Sequence, residues 1–215
     1  MELLALRNGG WAWTTTEQRE FFEGSRISAG VNAQDRITQG APMAAVEQVE
    51  LRMVLAAALR LRGQVADALE QMDVVCDRAR SVPIDLRCLA EVQRAEVVNS
   101  SGRNLRFIEE SRVRLQRFEN VFGQRIADMV LCAVNATLAR SSLILGDADS
   151  ALEWAAKAEA IACQCPIATV WMVVTRAQSL AIMERTREAL TTATMAEQAI
   201  ESLPPTLKEV LILRD

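Results

Sequence analysis

One two-part pattern recurs along this chain and constrains its fold more than any other feature of the sequence. Its clearest copy, LARSSLILGDADSALEWAAKAEAIA, spans residues 138–162. Apolar and small residues stand at helical spacing in both halves, and Gly146 separates the two stripes. A glycine ends one helix, and either Asp147 or Asp149 caps the next. The segment is therefore predicted to be a helical hairpin with a very short turn.

Three further segments match this hairpin when they are aligned on its turn. Gly63, Gly102 and Glu184 take the place of Gly146, so the turns are 39, 44 and 38 residues apart. The copy around Gly102 is the weakest, with Phe107 where alanine is expected. An alanine stands seven residues before each turn: Ala56, Ala95, Ala139 and Ala177. A small residue at this position lets the two helices of a hairpin approach to roughly 8–10 Å.

Repetition of this kind predicts an array in which each hairpin covers its neighbour. A single hairpin leaves an apolar face exposed, and about three or more copies are needed for stability. Nine glycines and five prolines are also few for an all-β protein. We therefore expect an all-α fold. The array is predicted over residues 43–203, before a partial helix (204–215). Residues 1–42 are predicted to hold a partial repeat followed by a linker at residues 24–42.

The hairpins resemble the tetratricopeptide repeat (TPR) family. The matching residues are Ala139, Gly146, Asp147, Ala151, Leu152 and Ala158. The resemblance implies a right-handed superhelix of antiparallel hairpins whose concave side is lined by first helices. Two features depart from it: the aromatic signature positions hold aliphatic or small residues, and the period exceeds the usual 34. The longer period of about 40 residues is similar to that of the ligand-sensing repeat domains of large LuxR-type bacterial transcription activators.

The TPR register predicts a binding surface on the first helices. Its inward positions are Glu50, Met53, Ala57, Arg60, Leu89, Val92, Glu96, Asn99, Ala133, Ala136, Arg140, Leu143, Trp171, Val174, Gln178 and Ala181. This mixed set suits a protein or peptide partner, or a modest organic effector. The predicted contacts are Arg60, Val92, Glu96, Asn99, Arg140, Trp171 and Gln178. Arg60, Arg140 and Trp171 are the anchor candidates, with ordinary packing between repeats as the alternative for each.

Enzyme and metal chemistry have little support in the sequence. The chain has no histidine, which removes Ser-His and Cys-His pairs and histidine metal sites. Cys163 and Cys165 are separated by one residue and have no second cluster, so a pair of helix-end thiols is the simpler interpretation. No glycine-rich phosphate loop is present. We therefore expect a non-catalytic protein with no cofactor and no metal.

Charge argues against direct binding of nucleic acid. The net charge is −4, whereas such proteins carry a basic surplus. The basic stretch from Arg103 to Arg125 is interrupted by Glu109, Glu110 and Glu119 at spacings that allow ion pairs within a helix. A salt-bridged surface is therefore predicted there.

The sequence also bears on the cellular location and on the two ends of the chain. No signal-peptide pattern and no apolar run of about 18 residues is present, so we expect a cytoplasmic protein without a membrane partner. Trp11 and Trp13 pack under the terminal hairpin or contact a partner. The apolar residues after Pro205 suggest either a longer protein or a homodimer through the terminal helices.

Overall fold

The computed structural model describes residues 26–40, 42–101, 104–161 and 166–202, with side chains except at 26–28, 166–168 and 171. The α-helices are α1 (Arg26–Thr38), α2 (Ala45–Leu61), α3 (Val65–Arg78), α4 (Ile84–Ser101), α5 (Leu105–Phe122), α6 (Asp128–Ile144), α7 (Ala148–Ala160), α8 (Pro166–Ile182) and α9 (Thr186–Glu201). A short 3₁₀ turn follows α3 at Ala79–Ser81. No strand occurs among the described residues, and the predicted all-α fold is confirmed.

The contacts divide the described helices into two compact units. The first contains α1 to α4, and the second contains α5 to α9. Within each unit, the second helix of a hairpin packs on the first helix of the same hairpin and on the first helix of the next hairpin. In the first unit α3 therefore contacts α2 and α4, and in the second α7 contacts α6 and α8.

Three predicted turns share one backbone conformation. Gly63, Gly146 and Glu184 have positive φ angles of 76°, 79° and 59°. In each turn this residue donates its N–H to a carbonyl three residues back at 3.0 Å, and the next N–H donates five residues back at 2.9 Å. This pair of bonds is the Schellman motif, which ends a helix on a left-handed residue. The predicted alignment of the three turns is confirmed, whereas the turn at Gly102 lies outside the described residues.

Three of the four alanines predicted to lie between the two helices of a hairpin, at the hairpin seam, are buried. Ala56, Ala95 and Ala139 have no exposed surface, and Ala177 is half-buried. Alanine leaves room for the neighbouring helix backbone at these positions. The first helices thus bury the small residues that the repeat register singled out.

Asp147 caps α7, which settles the choice between two candidates. The Ser150 N–H donates to Asp147 Oδ1 at 3.1 Å, as an N-cap residue requires. Hydrogen bonds from the side chain and backbone of Ser150 hold the pKa of the Asp147 carboxyl below its usual value, and the charge of Arg112 adds to this. Asp147 is therefore both a residue of the turn and the N-cap of the second helix.

First helices of successive hairpins lie side by side in the first unit. Gln93 Nε2 on α4 donates to the Met53 carbonyl on α2 at 2.6 Å. Arg60 Nη1 donates to Ser100 Oγ at 3.3 Å. Each bond joins residues 40 positions apart, so α2 and α4 run in one register. In the second unit α6 and α8 are neighbours in the same way.

The linker predicted at residues 24–42 is wrong over most of its length, because Arg26–Thr38 forms α1. Ala29 and Ala33 of α1 are buried with Leu51 of α2. A Cβ at Gly30 would overlap the Cβ of Ala58. Small side chains thus let α1 dock closely on α2, and this tertiary contact outweighs the polar composition that suggested a linker.

Several predictions concern residues outside the described part of the chain. They are the packing of Trp11 and Trp13, the thiol pair at Cys163 and Cys165, and the partial helix at 204–215.

Candidate functional site

In the first unit the predicted contact residues differ in how accessible they are. Arg60 and Glu96 are half-buried, whereas Val92 and Asn99 are 5% and 4% exposed. Ser100 connects the first two, because its Oγ accepts from Arg60 and donates to the Glu96 carbonyl at 2.8 Å. The surface that a partner can reach directly is therefore formed by Arg60 and Glu96, and Val92 and Asn99 lie beneath it.

In the second unit two predicted contact residues lie on the neighbouring helices α6 and α8. Arg140 of α6 is half-buried, and Gln178 of α8 is exposed. Trp171 belongs to α8, but its side chain lies outside the described part of the structure. The second unit thus brings a cationic and an amide side chain to adjacent first helices.

Several other inward positions are more buried than an open groove would require. Glu50, Met53, Leu89 and Ala133 are all at most 4% exposed. Ala57, Ala136, Leu143 and Val174 are half-buried, and Ala181 is exposed. The first helices bury residues on nearly every side. Sequence periodicity therefore did not separate their inner positions from their outer ones.

A cleft of about 490 Å³ lies away from these residues in the first unit. It is lined by Ala45, Gln48, Asp77, Arg78, Arg80 and Ser81. Arg78 Nη1 donates to Gln48 Oε1 across it. The lining residues carry both signs of charge, so the cleft presents no dominant electrostatic preference.

The Cys88 thiol is a poor nucleophile. Cys76, Cys88 and Cys132 are buried, and their thiols form no disulfide bond among the described residues. Burial, with smaller contributions from Asp85 and Glu91, raises the pKa of the Cys88 thiol to about 12. A thiol with such a pKa is protonated at neutral pH and does not attack substrates.

Neither a metal site nor a membrane span is found in the described part of the chain. No group of three or more potential His, Cys, Asp or Glu ligands comes together among the described residues. No described helix combines the length and the apolar character that crossing a bilayer requires.

Helix α5 has an exposed face that sequence reasoning did not identify as a site. Its exposed residues include Arg106, Phe107, Arg114, Arg117 and Val121. Two of the predicted ion pairs are confirmed: Arg106 Nε lies 2.9 Å from Glu110 Oε1, and Arg112 Nε lies 2.7 Å from Glu109 Oε2. The sequence showed the arginines. Exposed apolar residues on the same face became visible only in the structure.

Comparison with known proteins identifies the class of fold. No protein-family model matches the chain, and no curated protein is significantly similar in sequence. Two solved structures are similar: crystal structures of a Podosopora anserina putative kinesin light chain with nearly identical TPR-like repeats, one of them a point variant. Their TM-scores are 0.62 and 0.64, at 15% sequence identity, with 85% of this chain and 90% of that chain covered in each case.

This likeness shows the fold alone: the chain has a TPR-like helical-repeat fold.

Proposed function

We propose that this chain is a non-catalytic module that binds a protein or peptide through the exposed parts of its first helices. The observation that carries the proposal is the side-by-side placement of first helices within each unit of a TPR-like fold. Neighbouring parallel helices form a shallow furrow, and side chains on both helices can contact one extended peptide.

The chemistry of the accessible residues supports a peptide rather than a purely apolar ligand. Arg60 and Glu96 present opposite charges in the first unit, and Arg140 and Gln178 present a cation and an amide in the second. Half-buried arginines are well suited as anchors, because their stems are packed while their planar heads recognise carboxylates and carbonyls. Val92 and Asn99 hold the helices beneath such contacts. Trp171 belongs to the same proposed surface through the repeat register.

The proposal is tested by selecting peptides that bind the full chain from a random display library and measuring their affinity for variants. Arg60→Ala and Arg140→Ala are each expected to weaken the best peptide about tenfold, as the loss of an interface anchor does. Trp171→Ala is expected to weaken it similarly. Helicity should be unchanged in all three.

Arg187→Ala on α9 is the matched control, because Arg187 is an exposed arginine on a second helix. It is expected to leave the affinity unchanged. Unaltered affinity in both Arg60→Ala and Arg140→Ala would remove the first helices as the binding surface.

Ligand sensing, as in LuxR-type bacterial transcription regulators, is the alternative function. The 40-residue offset between α2 and α4 supports it, since this offset exceeds the usual TPR period of 34. In this case a small effector binds the first-helix surface, and the chain itself binds no DNA. The test screens a metabolite library for a compound that raises the melting temperature. A compound that stabilises the unmodified chain but not Arg140→Ala would favour sensing over peptide binding.

The exposed Leu190 of α9 supports a homodimer through this helix. Leu190 is 66% exposed, although the aligned Leu69 and Leu152 are half-buried. We expect Leu190→Ser to shift a dimer toward monomer in sedimentation velocity, with Leu105→Ser as control, because Leu105 is an exposed leucine on α5. If the chain without substitutions sediments as a monomer, the homodimer is contradicted.

A further inference from the structure

We propose that the outer face of α5 is a second binding surface, which takes an acidic protein segment with apolar side chains at its ends. The outer face consists of Arg106, Phe107, Glu110, Arg114, Arg117 and Val121. It lies entirely in the second unit and is distinct from the first-helix surface proposed above.

The positions on this face form one continuous stripe. Residues 106, 110, 114, 117 and 121 follow each other at steps of three or four, which keeps them on one side of a helix. All five are exposed. The opposite side is buried through Ile108, Ser111, Leu115 and Phe118. The stripe extends about 22 Å along the axis at 1.5 Å per residue.

The charge of the stripe is opposite to that of the whole protein. It carries three arginines against one glutamate, in a chain whose net charge is −4. Arg106 remains 82% exposed while it pairs with Glu110, so this pair is highly solvated and readily exchanged for another carboxylate. A positive stripe on an acidic protein steers negatively charged partners to this face.

Two large apolar side chains bracket the arginines. Phe107 is 55% exposed and Val121 is 64% exposed. Exposed apolar residues beside arginines are typical of protein interfaces, where aromatic residues and arginine are enriched. Their separation of 14 residues corresponds to about 21 Å along the helix. A matching partner therefore places apolar side chains at the ends of an acidic centre.

This combination favours an acidic protein segment over nucleic acid and over a membrane. Glu110 lies between Arg106 and Arg114 on the stripe and repels a phosphate backbone. Tight binding to DNA also uses more phosphate contacts, about 6–10. A membrane-surface helix needs a continuous apolar face. The continuous apolar face of α5 is instead buried within the second unit.

The test uses the full chain and a fluorescein-labelled synthetic peptide with a central run of glutamates and a leucine at each end. Binding is followed by fluorescence anisotropy at several salt concentrations. The double variant Arg114→Glu/Arg117→Glu is expected to weaken binding about tenfold or more, with a smaller dependence on salt. Phe107→Ser is expected to weaken binding about fivefold while leaving the salt dependence unchanged.

Arg62→Glu/Arg187→Glu is the matched control, because it changes the net charge equally at two exposed arginines away from α5. It is expected to bind the peptide as the unmodified chain does. Equal weakening by the control would show that net charge alone attracts the peptide, and the proposal would fall. It would also fall if a leucine-free peptide, single-stranded DNA or phosphatidylserine vesicles bound as tightly.

Folding of each variant is checked by circular dichroism and thermal melting. If the double variant does not fold, Arg117→Gln and Val121→Ser replace it, since both positions are exposed. Undiminished peptide affinity in both single variants contradicts the proposal. Because these variants change α5 alone, their failure to weaken binding leaves the first-helix proposal untouched.

Discussion

At Glu184 a residue with a full side chain adopts the backbone conformation that glycine adopts at the two other aligned turns. Its φ of 59° lies in the left-handed region, which costs an L-residue about 1–2 kcal/mol. We expect Glu184→Gly to raise the free energy of unfolding by about 1 kcal/mol, part of the gain being offset by the greater flexibility of glycine in the unfolded chain. Urea denaturation measures the change.

Gly146→Ala is the reciprocal variant of that experiment. It introduces a Cβ at a φ of 79° and is expected to lower the free energy of unfolding by about 1 kcal/mol or more. A loss of stability in Glu184→Gly would show that the glutamate side chain contributes more than its backbone strain costs.

Ala139 provides a residue-scale test of the hairpin seam. Its side chain has no exposed surface, so an indole at this position has to displace the neighbouring helix. We expect Ala139→Trp to cost at least about 1–3 kcal/mol, as overpacking does. Ala156→Trp is the control, because Ala156 is exposed on the other helix of the same hairpin. Equal melting temperatures for both variants would contradict the seam.

The Asp147 cap makes part of the stability dependent on pH. Removing it in Asp147→Ala is expected to cost about 1 kcal/mol at neutral pH. Because the folded pKa is depressed, the stabilisation is present above the ordinary aspartate value and is lost as pH falls through the folded pKa. The difference between Asp147→Ala and the unmodified chain should therefore shrink below about pH 4. A constant difference down to pH 2–3 would exclude the carboxylate as its cause.

At the scale of elements, the turns were predictable because their signals are local. A glycine or a polar residue after an apolar stripe predicts a helix end regardless of what packs around it. The cap of α7 was predictable only as far as Asp147 or Asp149, because both residues lie within one helical turn of its start; the structure assigns it to Asp147. Helix α1 was missed because its formation depends on a contact with α2 that no local pattern reveals.

The faces of the first helices were harder to predict than their existence. Helices α2 and α4 are buried on most sides and even bury Glu50, Glu91 and Asn99. When polar residues are buried, the usual alternation of polar and apolar residues no longer marks the solvent side. The predicted contacts Val92 and Asn99 turned out to be buried for this reason, while Arg60 and Glu96 remain partly accessible.

Phe107 departs from the repeat pattern. The alignment expects an alanine there, and alanine at the matching positions Ala68 and Ala151 is buried. Phe107 is instead more than half exposed. The other hairpins have alanine at this position, and the Phe107 side chain is not used to build the core. Phe107 is therefore a candidate for contact with another molecule.

At the scale of the whole molecule, the weakest copy of the repeat coincides with the division between the two units. The boundary falls between α4 and α5, and the weak turn was placed at Gly102. Stability in repeat proteins is approximately a sum of nearest-neighbour interfaces. Each unit is therefore expected to have a stability of its own, set by the helix contacts within it.

This division predicts that damage to one unit stays within it. In Ala139→Trp we expect faster amide exchange throughout α6 and α7, while exchange in α2 and α3 remains unchanged. Hydrogen exchange followed by mass spectrometry resolves the two units. Equal acceleration in all four helices would show that the chain unfolds as one cooperative block.

The proposed function rests on first helices as the binding surface, and one measurement tests this most directly. Hydrogen exchange of the full chain, with and without its tightest selected peptide, shows which helices the peptide covers. We predict slower exchange at the exposed sides of α2 and α4, or of α6 and α8, with no change in α3, α7 and α9. Protection confined to the second helices, or to none of these helices, would contradict the proposal.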